Sequence, residues 1–434
     1  MKLKQALLHN TGWKMIAMLF TFLNNIVIVR ILGVVISGNF FYALIIFAFV
    51  STLLRLGLEK GIIYITSKFP KKNKAVIAFL FPLIIFQTVI TFILLKFLIK
   101  ETSSFNIFWA VNYIMCNVVF YYIAAFYQVK KRFISLNISN LLLILSQTIF
   151  IWFFYLKGFT VFTFSGIANN SFDSLMIVLS GSILLQVIGL IIYFYFSEKI
   201  DFKNIHLNFQ TNKDLINFSL QNFTGGVLFF LVLRSDLYFV EKYCNNIIFS
   251  NYIQVVKLGQ ILLILPGQIS GVIFPYSVNA TADFEEKINF VARFFTSLYL
   301  LIYLFFLFFG KYLLVLMFGK EFVFVYLGMT ASILGVYFLA MNLIIGAYFE
   351  GKNLQKNILV ANLFTLIIII LGDYLFVPHF GYISAGLIFS FANFIGLLVT
   401  FYYLKKITVT PIKNIFILNK KDIKHLKIIF KSNI

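Results

Sequence analysis

A few charged side chains interrupt stretches of sequence that are otherwise apolar: Arg55, Arg234, Asp236 and Lys257. A charge at the centre of a bilayer costs about 2.5–3.5 kcal/mol on insertion scales, so such residues face a bundle interior or a wet cavity. Lys257 lies near the middle of its run, too deep for easy snorkelling. On a helix turning 100° per residue, Gln254 and Gln268 project within about 60° of it, which makes a polar stripe pointing inward. Such a lysine either binds a ligand or is held by a carboxylate such as Asp236. Arg234 and Asp236 point about 200° apart on a helix, so they are not expected to pair with each other. Arg234 either snorkels to the surface or faces the interior. Asp236 either pairs with Lys257 or takes up a proton or Na⁺. Arg55 lies four residues before Glu59, the spacing of an interfacial ion pair.

The choice of cation is itself informative. The chain has five arginines against 31 lysines, and Arg30, Arg55 and Arg234 all sit in or at the edge of apolar runs. Arginine keeps its charge when desolvated and grips phosphate in a bidentate fork. Asn24, Asn25, Asn112, Asn117, Gln147, Asn342 and Asn393 are further inward candidates, either as substrate contacts or as hydrogen bonds that join helices. Interior charges are net positive, which suits an anionic headgroup. The expected substrate-binding set is Arg30, Arg55, Arg234, Lys257, Asn24 and Gln254, with Asp236 as the ion-coupling residue.

These residues need helices to hold them. Of 434 residues, 61% are apolar and only 12% charged, against about 25% charged in a soluble domain. Repeated apolar runs of about 20 residues match the length that crosses a hydrocarbon core. The sequence predicts an all-α polytopic membrane protein with spans near 12–32, 39–58, 75–98, 107–127, 134–156, 174–197, 217–240, 246–270, 290–310, 322–348, 357–377 and 381–404. Assigning Lys and Arg to alternate sides of these twelve spans gives 26 on one side and 7 on the other. The basic side is cytoplasmic, so both termini are expected inside a bacterial cytoplasmic membrane. This distribution among short loops also argues against nucleic acid as the reason for the net charge of +21. The basic tail either lies on the anionic inner leaflet or only fixes orientation.

Twelve spans suggest two six-helix lobes around a central cavity, 1–205 and 206–404, followed by a tail at 405–434. A shift of 212 residues aligns Asn10 with Asn222, Asn24 with Asp236, Arg30 with Lys242, Asn39 with Asn251 and Phe40 with Tyr252, a weak internal repeat. Pro266 and Gly267, just beyond Lys257, suit either a hinge or a static kink. The histidines His9, His206, His379 and His425 and the cysteines Cys116 and Cys244 form no metal or catalytic constellation. No loop is long enough for a soluble catalytic domain. No enzyme activity, cofactor or metal is expected.

Several segments resemble bacterial polysaccharide repeat-unit flippases of the multidrug/oligosaccharidyl-lipid/polysaccharide exporter superfamily. Arg30-Ile-Leu-Gly33 followed by Gly38-Asn-Phe-Phe-Tyr42 is similar to their R-x-L-G…G-x-F/Y signature, and Leu53-Leu-Arg-Leu-Gly-Leu58 to their second-helix end. Arg234-Ser-Asp236, Tyr252, and Leu265-Pro…Phe274-Pro275 resemble their helix 7–8 region. Leu316-Met-Phe-Gly-Lys-Glu-Phe322 resembles their L-F-G-x-x-F junction. Phe376-Val-Pro-His-Phe-Gly-Tyr-Ile-Ser-Ala-Gly386 resembles their I-P-x-x-G-x-x-G-A stretch, with Ser384 where glycine is usual.

The resemblance implies alternating access and an O-antigen-type substrate, an oligosaccharide on undecaprenyl diphosphate, with Arg30, Arg55, Arg234 and Lys257 attracting the diphosphate or acidic sugars. It implies H⁺ or Na⁺ coupling, with Asp236 as the local candidate. Expected partners are that lipid-linked oligosaccharide, membrane lipids, and the polysaccharide polymerase and chain-length machinery. A multidrug cation antiporter of the same superfamily is the alternative, although it would want an acidic pocket. A membrane polysaccharide polymerase is another, although it would want a large outer loop.

Overall fold

The computed structural model describes residues 3–69, 72–98, 106–130, 132–157, 171–198, 209–277, 282–352 and 354–407. The expected outer loop around 158–170, the lobe boundary at 205/206 and most of the basic tail lie outside the described residues.

The described chain is helical from end to end. In lipid every backbone N–H and C=O must be satisfied within its own segment, and a helix does this at any apolar sequence. The order is α1 (Leu3–Arg55), α2 (Leu58–Lys68), α3 (Asn73–Leu98), α4 (Ile107–Val129), α5 (Phe133–Lys157), α6 (Ser171–Glu198) and α7 (Phe209–Val232). There follow α8 (Ser235–Tyr243), α9 (Asn246–Ser277), α10 (Ala282–Phe318), a 3₁₀ turn (Lys320–Phe322), α11 (Phe324–Gly351), α12 (Gln355–Phe380) and α13 (Tyr382–Lys405). Eleven segments among the described residues are long and apolar enough to cross a membrane. The first runs for 54 residues, Met15–Lys68, and covers both of the first two expected spans. Its helix departs from helical geometry at Gly33, with φ 70° and ψ 179°. Large apolar side chains such as Phe97, Phe308 and Phe391 remain exposed on the helices.

The chain divides into two compact units, Met1–Val227 and Leu228–Ile434. In the first unit, α1 packs against α4 and α5, and α4 also contacts α2, α3 and α6. After Arg55 the backbone turns through Leu56 (φ 49°) and Gly57 (φ 69°). The freed carbonyl of Leu54 is met by the buried Gln87, whose Nε2 donates to Leu54 O (2.6 Å) and to Tyr122 Oη (2.9 Å). Gly57 and Gly61 let α2 lie directly on the early part of α7. A methyl group on Gly61 would strike Ser219 Oγ, and one on Gly57 would strike the Ser219 carbonyl. This is close approach of two backbones through small residues four apart. Tyr64 stacks on Phe218 (4.2 Å, 6°), and Lys72 pairs with Asp214 (3.4 Å).

In the second unit, α11 packs between α9 and α13, and α12 packs against α13 and α8. Their core is aliphatic and aromatic, built around Val336, Ala340, Ile344, Phe349, Ile369 and Phe389. The expected seventh span, 217–240, is not one helix. It stops at Val232, passes through Leu233 and Arg234, and restarts as α8.

Candidate functional site

The break between α7 and α8 sets up the polar centre of the second unit. Arg234 adopts φ −141° and ψ −14°, outside the helical region, and its carbonyl accepts the Leu237 N–H (3.2 Å) to start α8. Asp236 falls in the first turn of α8, where the helix dipole favours a negative charge. It is 3% exposed. One carboxylate oxygen accepts the Leu237 N–H (2.9 Å), and the other accepts the Tyr252 hydroxyl from α9 (2.6 Å). Tyr252 is held edge-on to Tyr382 of α13.

A second carboxylate stands close by. Asp373 on α12 has no exposed surface, and neither of its side-chain oxygens has a hydrogen-bond partner among the described residues. It interacts electrostatically with both Asp236 and Tyr252. The sequence reading missed it. The available signal was a lone carboxylate in an otherwise apolar run, the same signal that drew attention to Asp236.

Beside Asp236 and Tyr252 lies a small cavity of about 30 Å³, also lined by Gln260, Ser332 and Gly259. That is room for one or two water-sized ligands. The side-chain amide nitrogen of Gln260 has no hydrogen-bond partner among the described residues.

The cationic side of this centre is formed by Arg234 and Lys257. Lys257, on α9, senses the charge of Arg234, and Arg234 senses that of Asp236. Both basic side chains are partly exposed, yet Nη1 of Arg234 is buried and has no hydrogen-bond partner among the described residues. No ion pair joins Arg234 to Asp236 among the described residues. A buried guanidinium nitrogen and a buried carboxylate are thus left without hydrogen-bond partners among the described residues. An unpaired buried polar group is costly, so such a centre is suited to ligands that supply the missing partners. Two carboxylates suit a proton or a monovalent cation. No group of three or more His, Cys, Asp or Glu that could hold a metal ion occurs among the described residues.

The other expected site residues are placed differently. Gln254 is fully buried in α9. Asn24, Arg30 and Arg55 belong to the first unit. Asn24 donates to Thr148 (3.0 Å), a bond between α1 and α5. Arg30 is exposed on α1. Arg55 is engaged on every side: Glu59 at 3.4 Å, the Ser51 carbonyl at 3.3 Å, Thr52 Oγ1 at 3.1 Å, and the Tyr121 ring 3.9 Å below its guanidinium carbon. Gln147 likewise donates to Ser182 (3.0 Å). Asn24, Arg55 and Gln147 thus join helices to one another.

No family model matches this sequence, and no curated protein matches it. Solved structures do match in fold. An inward-facing multidrug resistance MATE family transporter of the MOP superfamily superposes with a TM-score of 0.71 at 12% identity, covering 91% of this chain and 96% of that one. The lipid II flippase MurJ in an inward closed conformation gives 0.66 at 13%, covering 98% and 93%. A MOP superfamily transporter from Pyrococcus furiosus, for which reverse polarity of the binding pocket suggests a different function, gives 0.62 at 13%, covering 93% and 95%. The chain therefore has the fold of the multidrug and lipid transporters of the MOP superfamily.

Proposed function

We propose that this protein is a MOP-superfamily transporter that moves an anionic lipid-linked oligosaccharide, of the undecaprenyl diphosphate type, across a bacterial cytoplasmic membrane. The observation that carries this reading is the Arg234–Lys257 pair. Arg234 and Lys257 interact electrostatically within apolar helices, and a buried nitrogen of the Arg234 guanidinium has no hydrogen-bond partner among the described residues. A diphosphate would supply an acceptor for that nitrogen. Phosphate-bearing cargo also gains from an inside-negative potential on moving outward, by about 2.3 kcal/mol per charge per 100 mV. In this reading the 54-residue first segment crosses twice, giving twelve crossings with both ends inside. Asp236 then couples transport to H⁺ or Na⁺. Arg55 and Asn24 are structural braces.

Deleting the gene should leave lipid-linked repeat units on the inner leaflet and abolish long surface polysaccharide. The wild-type gene should restore export, and R234Q should not. Normal delivery of units to the outer leaflet in the deletion strain would refute this reading. The buried carboxylates Asp236 and Asp373 favour a second reading, a cation antiporter. That reading requires the deletion strain to accumulate a lipophilic cationic dye such as ethidium, with surface polysaccharide unaffected.

A further inference from the structure

We infer that the end of α2 is a headgroup site for an anionic phospholipid, built from Lys60 and Lys68 on a shelf of Tyr64 and Phe69. The site lies in the first unit and does not depend on the proposed cargo.

It forms where two candidate membrane spans end. Lys68 is the last residue of the first span, and Thr211 is the first residue of the span that contains α7. Within the first unit these two ends are tied together, since Tyr64 stacks on Phe218 and Lys72 pairs with Asp214. Lipid phosphates lie at the level where apolar spans give way to polar chain.

The residues at this level are sorted by face. On α2, Leu58, Gly61, Ile62 and Ile65 are buried, while Lys60, Tyr64 and Lys68 are exposed. Those three recur every four residues, which places them in one row along the helix. The Lys68 ammonium lies 5.4 Å from the centre of the Tyr64 ring and 5.5 Å from that of Phe69, and it donates to Tyr64 Oη (3.2 Å). The Lys72 ammonium lies 4.7 Å from the Phe69 ring centre. Cation–π attraction holds an ammonium group in place without cancelling its charge.

The balance of charge leaves an anion wanted. Lys72 is shared with Asp214 (3.4 Å), and Glu59 is engaged by Arg55 (3.4 Å). No carboxylate pairs with Lys60 or Lys68 among the described residues. Beside these two lysines, Tyr64 is 39% exposed and Phe69 41%. A phosphodiester that carries acyl chains matches both features. Its phosphate meets the ammonium groups, and its glycerol and first methylenes meet the rings. A free phosphate would leave the rings uncovered. Basic segments beside a span attract anionic lipids in the same way. Because Tyr64 also stacks on α7, a lipid bound here stabilises the α2–α7 contact by mass action.

The test is lipid binding to the purified full-length protein by native mass spectrometry. The probes are phosphatidylglycerol and phosphatidylcholine with the same acyl chains. Phosphatidylglycerol should bind about tenfold more tightly, and K60Q/K68Q should lose about that factor, as expected for two lysines facing an anionic lipid. K311Q/K320Q removes the same charge from exposed lysines of the second unit and should keep the preference. Y64L keeps every charge and should weaken phosphatidylglycerol binding severalfold, because Lys68 loses the ring that places it. Thermal midpoints in phosphatidylcholine nanodiscs report that each variant is folded. Adding phosphatidylglycerol should raise the midpoint of wild type and not that of K60Q/K68Q. Equal binding of the two lipids by wild type, or a preference that survives in folded K60Q/K68Q, overturns the inference. A preference lost equally in K311Q/K320Q also overturns it, since net charge alone would then be responsible. Farnesyl diphosphate that displaces phosphatidylglycerol from wild type but does not bind K60Q/K68Q overturns the phospholipid and assigns the site to a lipid diphosphate.

Discussion

At the scale of the residue, two arginines of the same apparent type do different work. Arg55 and Arg234 both read as charges inside apolar runs. Arg55 is closed off by Glu59, Thr52, the Ser51 carbonyl and Tyr121. The Glu59 pairing was legible from its i,i+4 spacing. The Tyr121 ring was not, because no local rule links residues so far apart in sequence. Arg234 keeps a nitrogen with no hydrogen-bond partner among the described residues. Lysine carries the same charge without a planar fork, so exchange separates the two roles. Arg55→Lys should lower unfolding stability in detergent by about 1–2 kcal/mol, the value of a partly desolvated cation–π contact and its hydrogen bonds. Arg234→Lys should leave the thermal midpoint near wild type and weaken farnesyl diphosphate binding about tenfold, as loss of bidentate contact does. A stable Arg55→Lys protein, or an Arg234→Lys protein whose only defect is stability, would reverse these assignments.

At the scale of the element, the helices were legible and their interruptions were not. Long apolar runs can only be helices in lipid, and α3, α4, α5, α11 and α13 begin and end within a few residues of the expected spans. The stop at Val232 has no proline or glycine at Leu233 or Arg234 to announce it. α7 begins in one compact unit and α8 lies in the other. Asp373 was hidden for a related reason, since one carboxylate hardly lowers the hydropathy of α12. The Gly57/Gly61 face of α2 is a contact that can be tested directly. Gly61→Ala places a methyl group against Ser219 Oγ and the Leu215 side chain. Ser219 Oγ is itself tied to the Leu215 carbonyl (2.7 Å). Overpacking of this kind costs about 1–3 kcal/mol. Gly61→Ala should lower the thermal midpoint, and a second change, Ser219→Gly, should recover most of the loss by making room. A Gly61→Ala protein as stable as wild type would mean that α2 and α7 do not approach so closely.

At the scale of the whole molecule, the open question is how many times the chain crosses, and α1 decides it. Eleven segments qualify as spans among the described residues, but Met15–Lys68 alone has 54 residues. At 1.5 Å per residue that length is about 80 Å, more than twice a hydrocarbon core of about 30 Å. A single crossing would leave the apolar stretch on one side of Gly33 in water. The departure from helical geometry at Gly33 (φ 70°) supplies a place for the chain to change direction, in a region of backbone space that glycine enters without steric penalty. Two crossings make the total twelve and return the C-terminus to the side of the N-terminus. One crossing makes it eleven and separates the ends. The charge asymmetry supports the first outcome, because only an even number keeps the 26 basic residues together on one face. Fusing green fluorescent protein to the C-terminus should therefore give fluorescent cells, and fusing alkaline phosphatase there should give inactive enzyme. A cysteine introduced at Ile36, which is exposed just after Gly33, in a background without Cys116 and Cys244, should react with a membrane-impermeant maleimide added outside, whereas one at Lys72 should react only after the membrane is opened. An active C-terminal phosphatase, or a cysteine at Ile36 reached only from inside, would show that the first segment does not turn at Gly33.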